Sequence, residues 1–586
     1  MIFYRLKRKF ISQYNLSAFK LIIQILFNLQ KKFKKKILIL LFLIISNGLF
    51  ESLTIVLLFS FLSLLINPNI LNQNQYILGL SQFLSISKTD NILILIAVLL
   101  TLIICISGFI RIGNLWVNSI LSESIGSFIS TKILKGIISQ PYIYHLETHT
   151  NEIINAATFF TRVTSTSIQH TITIISSVIL VLSVSIPLFI VDYKISFIIL
   201  FFALSIYLLI GFFTRRRIKK NSLIQFNLAN KQIEIIQIIL SSIKEILLGS
   251  KQNFFLKDYS ITDRLLRRKW GETRFLGYYP KILIETFVFA SVTIIALLIF
   301  RSGETKLFLL PIFGTLLIAL QKLLPYTQQI FTSWANITSN KDAIQSVSNF
   351  LELKTSSNFE ELNNNSINFN NIELRNIDFI YPNSKKFILK DFSLNIKKGS
   401  KVGIKGESGK GKSTLINILM GLLIANRGKF IIDQNNLYSK NKELDLIRWR
   451  SNISHVPQKI NLIKKDFISN IAFGVEKDNI DFERVKLSAK IAQIADFINS
   501  QKNSYFSPVG DNGSLLSGGQ IQRLGIARAI YKNCKVLILD EATNELDEKT
   551  EGKILNSIFN FKNEITIIFI SHNSKSLGLC DYIINI

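Results

Sequence analysis

The chain has 586 residues, of which 48% are hydrophobic, and its mean hydropathy is +0.34. It carries 68 Lys and Arg against 39 Asp and Glu, so its net charge is +29 at pH 7. Its three cysteines are widely spaced, which excludes a disulfide framework and a cysteine metal cluster.

The first 36 residues are strongly basic. They hold ten Lys or Arg and no acid, and they end in KKFKKK at residues 31–36. So much charge argues against a cleavable secretory signal, which has a short apolar core. We expect residues 1–36 to form a basic interfacial segment on the cytoplasmic side, leading into a first membrane span.

Six apolar runs, each close to or above the roughly 20 residues that a helix needs to cross a bilayer, lie before residue 330. An apolar run of this kind could also be the buried helix of a soluble core, but six of them favour a membrane domain of six transmembrane helices over residues 37–340. The predicted spans are 37–66, 91–110, 171–191, 195–213, 282–300 and 306–326.

Charge between the spans gives the orientation. The connection 214–281 contains RRRIKK at 215–220, whereas the connections 67–90, 192–194 and 301–305 are short and nearly neutral. Basic connections remain in the cytoplasm, so the N-terminus and everything after the sixth span are predicted to be cytoplasmic. The net charge then reflects inner loops beside anionic lipid, and it requires no nucleic-acid partner.

Composition changes after the last span. Residues 341–366 are predicted to be a linker, because the asparagine-rich stretch ELNNNSINFNN begins at residue 361. Residues 367–586 are enough for one α/β domain with a buried core.

A glycine-rich loop is the first motif in this domain that indicates a chemical function. GESGKGKS at 406–413 fits G-x-x-x-x-G-K-[ST] between a strand-like and a helix-like run, a pattern that cradles the phosphates of a nucleotide such as ATP. Lys412 is expected to reach the β- and γ-phosphate oxygens and Ser413 a Mg²⁺ ion. The predicted nucleotide-binding residues of this loop are Gly406, Glu407, Ser408, Gly409, Lys410, Gly411, Lys412, Ser413 and Thr414.

Two further motifs follow in order. VLILDE at 536–541 predicts a buried strand that ends in two carboxylates, with Asp540 in the Mg²⁺ shell and Glu541 polarising the attacking water. LLSGGQ at 515–520 resembles the signature motif of ATP-binding-cassette (ABC) proteins. The resemblance implies that Ser517, Gly518, Gly519 and Gln520 contact a nucleotide bound by another subunit.

The resemblance extends to single residues. Tyr381 is similar to the family's aromatic residue that stacks on adenine, and Gln458 to the glutamine that touches the metal and the water. His572 resembles the histidine that contacts the γ-phosphate, and Asp547 matches the aspartate of the loop that crosses between two cassettes. The family also implies that one cassette works as a dimer, most simply a homodimer, with two composite sites that hydrolyse ATP.

Long cytoplasmic connections after spans two and four resemble ABC half-transporters of the type IV exporter family, and residues 140–153 resemble their first coupling region. Two segments, 75–86 and 243–249, resemble lipid-linked oligosaccharide flippases of the PglK type. NELD at 544–547 departs from the more usual SALD, and Asn573 replaces a common arginine. The sequence ends in CDYIINI, earlier than the family pattern, and we expect this difference to leave the ATP site intact.

The substrate remains open at this point. The resemblance favours ATP-driven export or flipping of a lipid-linked oligosaccharide or another amphipathic lipid across a bacterial inner membrane. Export of peptides or drug-like molecules is the alternative. A third interpretation, a regulatory gate that hydrolyses little ATP, is disfavoured because the chain retains the catalytic carboxylate Glu541.

Ionisable residues near the spans are candidates for lining a cavity. Arg111 or Lys322 would suit a pyrophosphate head, and Glu51 a cation or a sugar hydroxyl. For Glu285 and Lys322, however, reaching out to the membrane interface is the favoured role.

Overall fold

The computed structural model describes residues 17–66, 89–191, 193–301, 310–354, 367–382, 384, 386–407, 409–439, 443–561 and 564–586. The chain forms two compact units. The first comprises Met1–Gln140 and Thr148–Thr355, and the second comprises Pro141–Glu147 and Ser356–Ile586. The predicted amphipathic segment 75–86 lies outside the described residues.

The helices before residue 355 follow the apolar runs of the sequence, and each of the six runs falls wholly or largely within one long helix. In chain order they are α1 (Ala18–Phe27), α2 (Lys31–Ile66), α3 (Thr89–Ile138), α4 (Tyr142–Glu147), α5 (Thr150–Ala157), α6 (Phe159–Val191), α7 (Tyr193–Ser241), α8 (Ile243–Leu248), α9 (Gln252–Arg301), α10 (Leu310–Ser339) and α11 (Lys341–Leu351).

Length and composition qualify three stretches of the described chain as membrane spans: Lys31–Ile66, Asn91–Ile138 and Thr150–Ile190. The other three predicted spans fall in α7, α9 and α10. Helices α3 and α9 have 50 residues and α7 has 49, so each is roughly 75 Å long. That is more than twice the hydrocarbon thickness of a bilayer, so these helices extend well beyond the membrane, as the long connections predicted.

Close packing joins α2, α6 and α10 in the interior of the first unit. A Cβ atom at Gly48 would lie 2.5 Å from the Oγ of Ser183, so only glycine allows α2 to approach α6 this closely. The apolar cluster between these three helices consists of Ile55, Leu180, Val184, Leu188, Leu316, Ala319, Leu323 and Tyr326.

The first part of the predicted linker is helical. Helix α11 buries Ala343, Ile344, Val347 and Phe350, which are spaced one, three and three residues apart and so line one helical face. This amphipathic face packs within the first unit. Residues 355–366, the polar remainder of the predicted linker, lie outside the described part of the chain.

The second unit has the two sheets of an α/β cassette. One is antiparallel in the order β2-β1-β4-β5, and the other is parallel in the order β6-β7-β8-β3-β9. The strands are β1 (Asn371–Phe379), β2 (Leu389–Lys397), β3 (Lys401–Lys405), β4 (Arg427–Ile432), β5 (Asn435–Asn436), β6 (Ile453–Val456), β7 (Val536–Asp540), β8 (Thr566–Ile570) and β9 (Tyr582–Asn585).

Helices cover the parallel sheet. In chain order they are α12 (Lys412–Leu419), α13 (Glu443–Ser451), α14 (Phe467–Ile471), α15 (Phe482–Ile491), α16 (Ala495–Asn499), α17 (Gly518–Tyr531), α18 (Glu548–Phe559) and α19 (Ser574–Leu577). Every residue of β8 and the first four of β7 are buried, which is typical of central parallel strands with both faces covered.

The parallel sheet determines where functional residues meet. Strands β3, β6, β7 and β8 all point the same way, so the segments that follow them emerge at one edge. Helix α4, which belongs to the second unit, places Ile143 against the apolar core of that unit. Residues 142–147 of the predicted coupling region therefore belong to the same compact unit as the cassette.

Candidate functional site

The glycine-rich loop joins β3 to the N-terminus of α12. Gly409 and Gly411 have φ angles of +83° and +103°, in the left-handed region that glycine tolerates best. At Gly411 a Cβ atom would also lie 3.0 Å from Ile388 Cγ2, so the position has no room for a side chain. The loop ends at the start of a helix, where free N–H groups and the helix dipole favour an anion. Ser408 lies outside the described residues.

Lys412 begins α12 and is 9% exposed. Its Nζ donates to the carbonyl oxygen of Gly406 at 2.7 Å and lies 3.1 Å from Nε2 of His572, which follows β8. The same Nε2 lies 3.1 Å from Oε1 of Glu541. One ring nitrogen can accept from Lys412 or donate to Glu541, but it cannot do both at once.

Glu541 lies at the centre of the cluster, directly after β7, with φ +50°. Its backbone N–H donates to Ile570 O at 3.1 Å, which extends the parallel pairing of β7 and β8 by one residue. Its Oε2 accepts from Gln458 Nε2 at 2.8 Å and from Asn544 Nδ2 at 3.0 Å. The side chain is 14% exposed, so three neighbours orient a largely buried carboxylate.

Asp540 ends β7 one residue before Glu541. Burial raises the pKa of its carboxyl above the usual range, the charge of Glu541 raises it further, and Lys412 opposes both effects. Ser413 is exposed in the first turn of α12. The side-chain N–H of Gln458 donates to Glu541, which leaves the side-chain carbonyl oxygen of Gln458 as a possible metal ligand. Hydroxyl, amide and carboxylate oxygens are the donors that Mg²⁺ prefers, so these three residues fit that ion.

Tyr381 follows β1 and lies beside the glycine-rich loop. Its hydroxyl is 3.1 Å from Thr414 Oγ1 in the first turn of α12, and its ring lies edge-on to Phe379 with centroids 4.9 Å apart. The ring is therefore fixed next to the helix end that faces the phosphates.

The signature residues form the start of α17. Ser517 caps the helix, since its Oγ accepts from Gln520 N at 3.3 Å while Gln520 Oε1 accepts from Ser517 N at 2.8 Å. Gln520 thus completes a capping box. A Cβ at Gly518 would overlap the carboxylate of Glu545, and one at Gly519 would lie 3.2 Å from Glu545 O. Glycine at 518 leaves the space that this glutamate side chain occupies.

Asp547 caps α18 through a 2.9 Å bond from Thr550 N to its Oδ2. Hydrogen bonds from Thr550 hold the pKa of the Asp547 carboxyl below its usual range. Across the described residues, no hydrogen bond joins the 406–414 loop to residues 517–520. The structure therefore brings Lys412, Gln458, Glu541 and His572 together, whereas the signature forms a separate site at the end of α17.

Two features were missed from the sequence. Asn544 contacts the Glu541 carboxylate, and its position within the unusual NELD stretch was the available signal. His455, in β6, is half-buried and its Nε2 is buried without a partner in the described structure, and burial lowers its pKa to about 4.

In the first unit, Lys322 does not extend to the membrane interface, and that prediction is wrong. Its Nζ lies 2.8 Å from Oε2 of Glu51, a side chain that is only 5% exposed. Ser107 and Tyr326 donate to Oε1 of the same carboxylate at 3.1 and 3.4 Å. The ammonium is thus held by a carboxylate inside the helical unit. Arg111 lies 5.6 Å from the Tyr326 ring centroid.

A sequence model of the ABC transporter family matches residues 389–544, from β2 to the loop after β7. This match covers the glycine-rich loop, the signature and Glu541 in their expected order. Residues 389–544 therefore belong to a cassette of the ABC transporter family.

Three proteins that are similar to this chain come from two bacteria and the mouse. The ATP-dependent lipid A-core flippase of Wigglesworthia glossinidia brevipalpis is 26% identical over 483 residues, covering 82% of this chain and 81% of the relative. That of Coxiella burnetii is 38% identical over 212 residues, covering 36% of this chain and 35% of the relative. Mouse mitochondrial ATP-binding cassette sub-family B member 10 is 34% identical over 214 residues, or 36% and 29% of the two chains.

The fold matches a solved exporter throughout. The structure of a bacterial Atm1-family ABC exporter with ATP bound aligns with a TM-score of 0.74 and 19% identity, covering 94% of both chains. This transporter therefore has the exporter fold, with a helical membrane domain before an α/β cassette that is an ATPase domain. For the flippases of Coxiella burnetii and Saccharophagus degradans, the alignment spans about a third of the relative's length.

Proposed function

We propose that this ABC transporter uses ATP hydrolysis to flip or export an amphipathic lipid across a bacterial inner membrane. The observation that carries the proposal is the cluster of Lys412, Gln458, His572 and Glu541, in a cassette that shares its chain with a domain of long apolar helices. The alignment with the Wigglesworthia flippase supports it, because it spans most of both proteins and so includes the membrane domain.

In the cassette, Lys412 and the N–H groups of 406–414 bind the β- and γ-phosphates, and Tyr381 stacks against the base. Glu541 orients the attacking water, and His572 contacts the γ-phosphate. Ser413, Gln458 and Asp540 would hold Mg²⁺, whose charge neutralises phosphate oxygens. The three donors around Glu541 keep its carboxylate aimed at one place, so less reorganisation is needed during the reaction.

The complete site requires a second cassette. The signature helix α17 presents Ser517 and the following N–H groups as an anion site. Among the described residues, no hydrogen bond joins this site to the glycine-rich loop of the same chain. We therefore propose a homodimer in which α17 of each copy closes over the ATP held by the other, with Asp547 in the crossing loop. Two such sites would form per dimer, both in the cytoplasm.

For the substrate, we propose a lipid with a large polar head. The lipid A-core flippases among the relatives favour an amphipathic glycolipid, and a lipid-linked oligosaccharide is the narrower candidate from the sequence. The side chain of Lys322 is 29% exposed beside the buried Glu51 carboxylate, so its ammonium is the charge of this pair that a polar head would reach.

The test is lipid-stimulated ATP hydrolysis in proteoliposomes that contain the purified transporter. A lipid A-core glycolipid, a polyprenyl-pyrophosphate oligosaccharide and an apolar peptide are compared at equal concentrations, with Glu541→Gln as the background. Stimulation by one of the two lipids, together with its appearance in the opposite leaflet, is expected. Stimulation by the peptide alone would overturn the proposal in favour of peptide export.

A further inference from the structure

A cavity of about 840 Å³ lies in the first unit, between α1, α7 and α10. This volume is typical of a site for a small molecule rather than of a packing defect. The cavity is separate from the Glu51 and Lys322 pair, because neither residue lines it.

Aromatic side chains form the apolar part of the cavity. The Tyr207 ring centroid lies 5.7 Å from that of Phe331, which lies 5.5 Å from that of Trp334. Phe212 is 73% exposed, and it lines the same space. Helix α1 closes one side through Phe19. Such a surface suits a hydrocarbon chain, which needs no hydrogen bonds.

Positive charge lies at one end of the cavity. Arg215 and Lys219 line it from α7, four residues apart and therefore on one helical face, and Lys341 lines it from α11. Arg215 and Lys219 are exposed and have no ion-pair or hydrogen-bond partner within the described ranges. None of the described residues that line the cavity is acidic. The charges of Arg215 and Lys219 are therefore uncompensated by any described residue of the cavity wall.

The two ends are spaced as in a phospholipid. Tyr207 lies within the predicted span 195–213 and Arg215 just beyond its cytoplasmic end, so the rings are at the depth of acyl chains and the cations at the depth of head groups. Eight residues of helix separate them, which is roughly 12 Å. We infer that the cavity binds an anionic phospholipid of the inner leaflet, with its phosphate at Arg215 and Lys219 and an acyl chain along the rings.

The experiment measures lipid binding by the full chain in detergent, without ATP. Phosphatidylglycerol with brominated acyl chains quenches a nearby tryptophan, and Trp334→Phe identifies the part of the signal that comes from the cavity. Saturable quenching of Trp334 is expected with the anionic lipid, and markedly weaker quenching with brominated phosphatidylcholine. Equal affinity for the two lipids would overturn the assignment of the cations.

The chain offers a matched control for charge. Arg215→Gln with Lys219→Gln should weaken binding roughly 30-fold, from about 1 kcal/mol for each cation. Arg216→Gln with Lys220→Gln removes the same charge from exposed neighbours that do not line the cavity, and should leave affinity within about threefold by the same reasoning. Equal losses in the two double variants would refute the site. Arg215→Lys with Lys219→Arg should retain binding, which shows that the loss in the first variant is not a folding defect.

One further arm identifies the source of the phosphate. Soluble glycerol 1-phosphate should not displace the brominated lipid at equal concentration, because it lacks the acyl chain. Displacement would assign the site to a free phosphate compound and overturn the lipid. Since the assay contains no ATP and no transport, its failure leaves the proposed function standing, and a failure of lipid-stimulated hydrolysis leaves this cavity assignment standing.

Discussion

Removing one partner of the Glu51 and Lys322 ion pair should destabilise the membrane domain, and removing both should restore part of the loss. Lys322→Met leaves a carboxylate that is 5% exposed, with the hydroxyls of Ser107 and Tyr326 as its remaining donors among the described residues. Breaking a buried pair in this way costs about 3–5 kcal/mol. At about 2 °C per kcal/mol for a large domain, the melting temperature should fall by roughly 6–10 °C.

Glu51→Gln should cost less. The ammonium that it leaves behind is 29% exposed and can reach water, so the loss is closer to one hydrogen bond between charged groups, about 1.5–3 kcal/mol. The double variant leaves no unpaired charge. Its melting temperature should therefore lie above that of Lys322→Met, with a coupling energy on the order of 2 kcal/mol.

The assay is thermal unfolding of the detergent-solubilised transporter, followed by tryptophan fluorescence, since Trp116, Trp270 and Trp334 all lie in the first unit. Glu285→Gln serves as the control, because Glu285 has no ion-pair partner among the residues that the structure describes. A double variant that melts below both single variants, by the sum of their losses, would refute the reasoning.

Three further predictions concern the cassette. Glu541→Gln should keep ATP binding while hydrolysis drops by about 100-fold or more, measured by nucleotide binding and phosphate release, and near-normal turnover would mean that another group orients the water. Asn544→Ala removes one donor to Glu541 and should lower kcat about tenfold with KM for ATP unchanged; an unchanged kcat would show that Gln458 and His572 suffice to orient the carboxylate. His455 has a pKa of about 4 when folded, below the ordinary 6.5, so the unfolded chain binds more protons between these values and stability is lost as pH falls through that window. Between pH 7.5 and pH 5.5 the loss is about 1.3 kcal/mol, and His455→Phe should show a correspondingly smaller drop in melting temperature over that range, whereas parallel pH profiles would contradict the burial of a neutral ring.

Motif spacing predicted the nucleotide cluster because parallel strands deliver their carboxyl ends to one edge. Lys412, Glu541 and His572 each follow or adjoin a central strand, so their convergence could be expected before any coordinates. The pair of Glu51 and Lys322 could not, because 271 residues separate the two and only the packing of α2 against α10 brings them together. Hydropathy predicts that each residue lies in a span, but it does not predict which faces meet.

Sequence patterns also differ in how well they predict the role of a single side chain. Ser517 and Gln520 have the spacing of a capping box, a pattern that is readable from four residues. The family resemblance led instead to a nucleotide-contact role for Gln520, which the structure uses to complete the cap. Asn544 illustrates the opposite case, since no general rule predicts that a residue three positions after Glu541 turns back to its carboxylate.

The cap at Ser517 also bears on the free energy of the proposed association between two cassettes. A hydroxyl has two acceptor lone pairs and one proton, and the bond from Gln520 N uses only a lone pair. The proton remains available to a phosphate oxygen while the side chain is already fixed in one rotamer. Association therefore avoids the loss of rotamer entropy, about 0.5–1.5 kcal/mol, that an unanchored side chain would incur. The N-terminus of α17 is thus a preformed anion site, which can bind a phosphate without a change of side-chain rotamer.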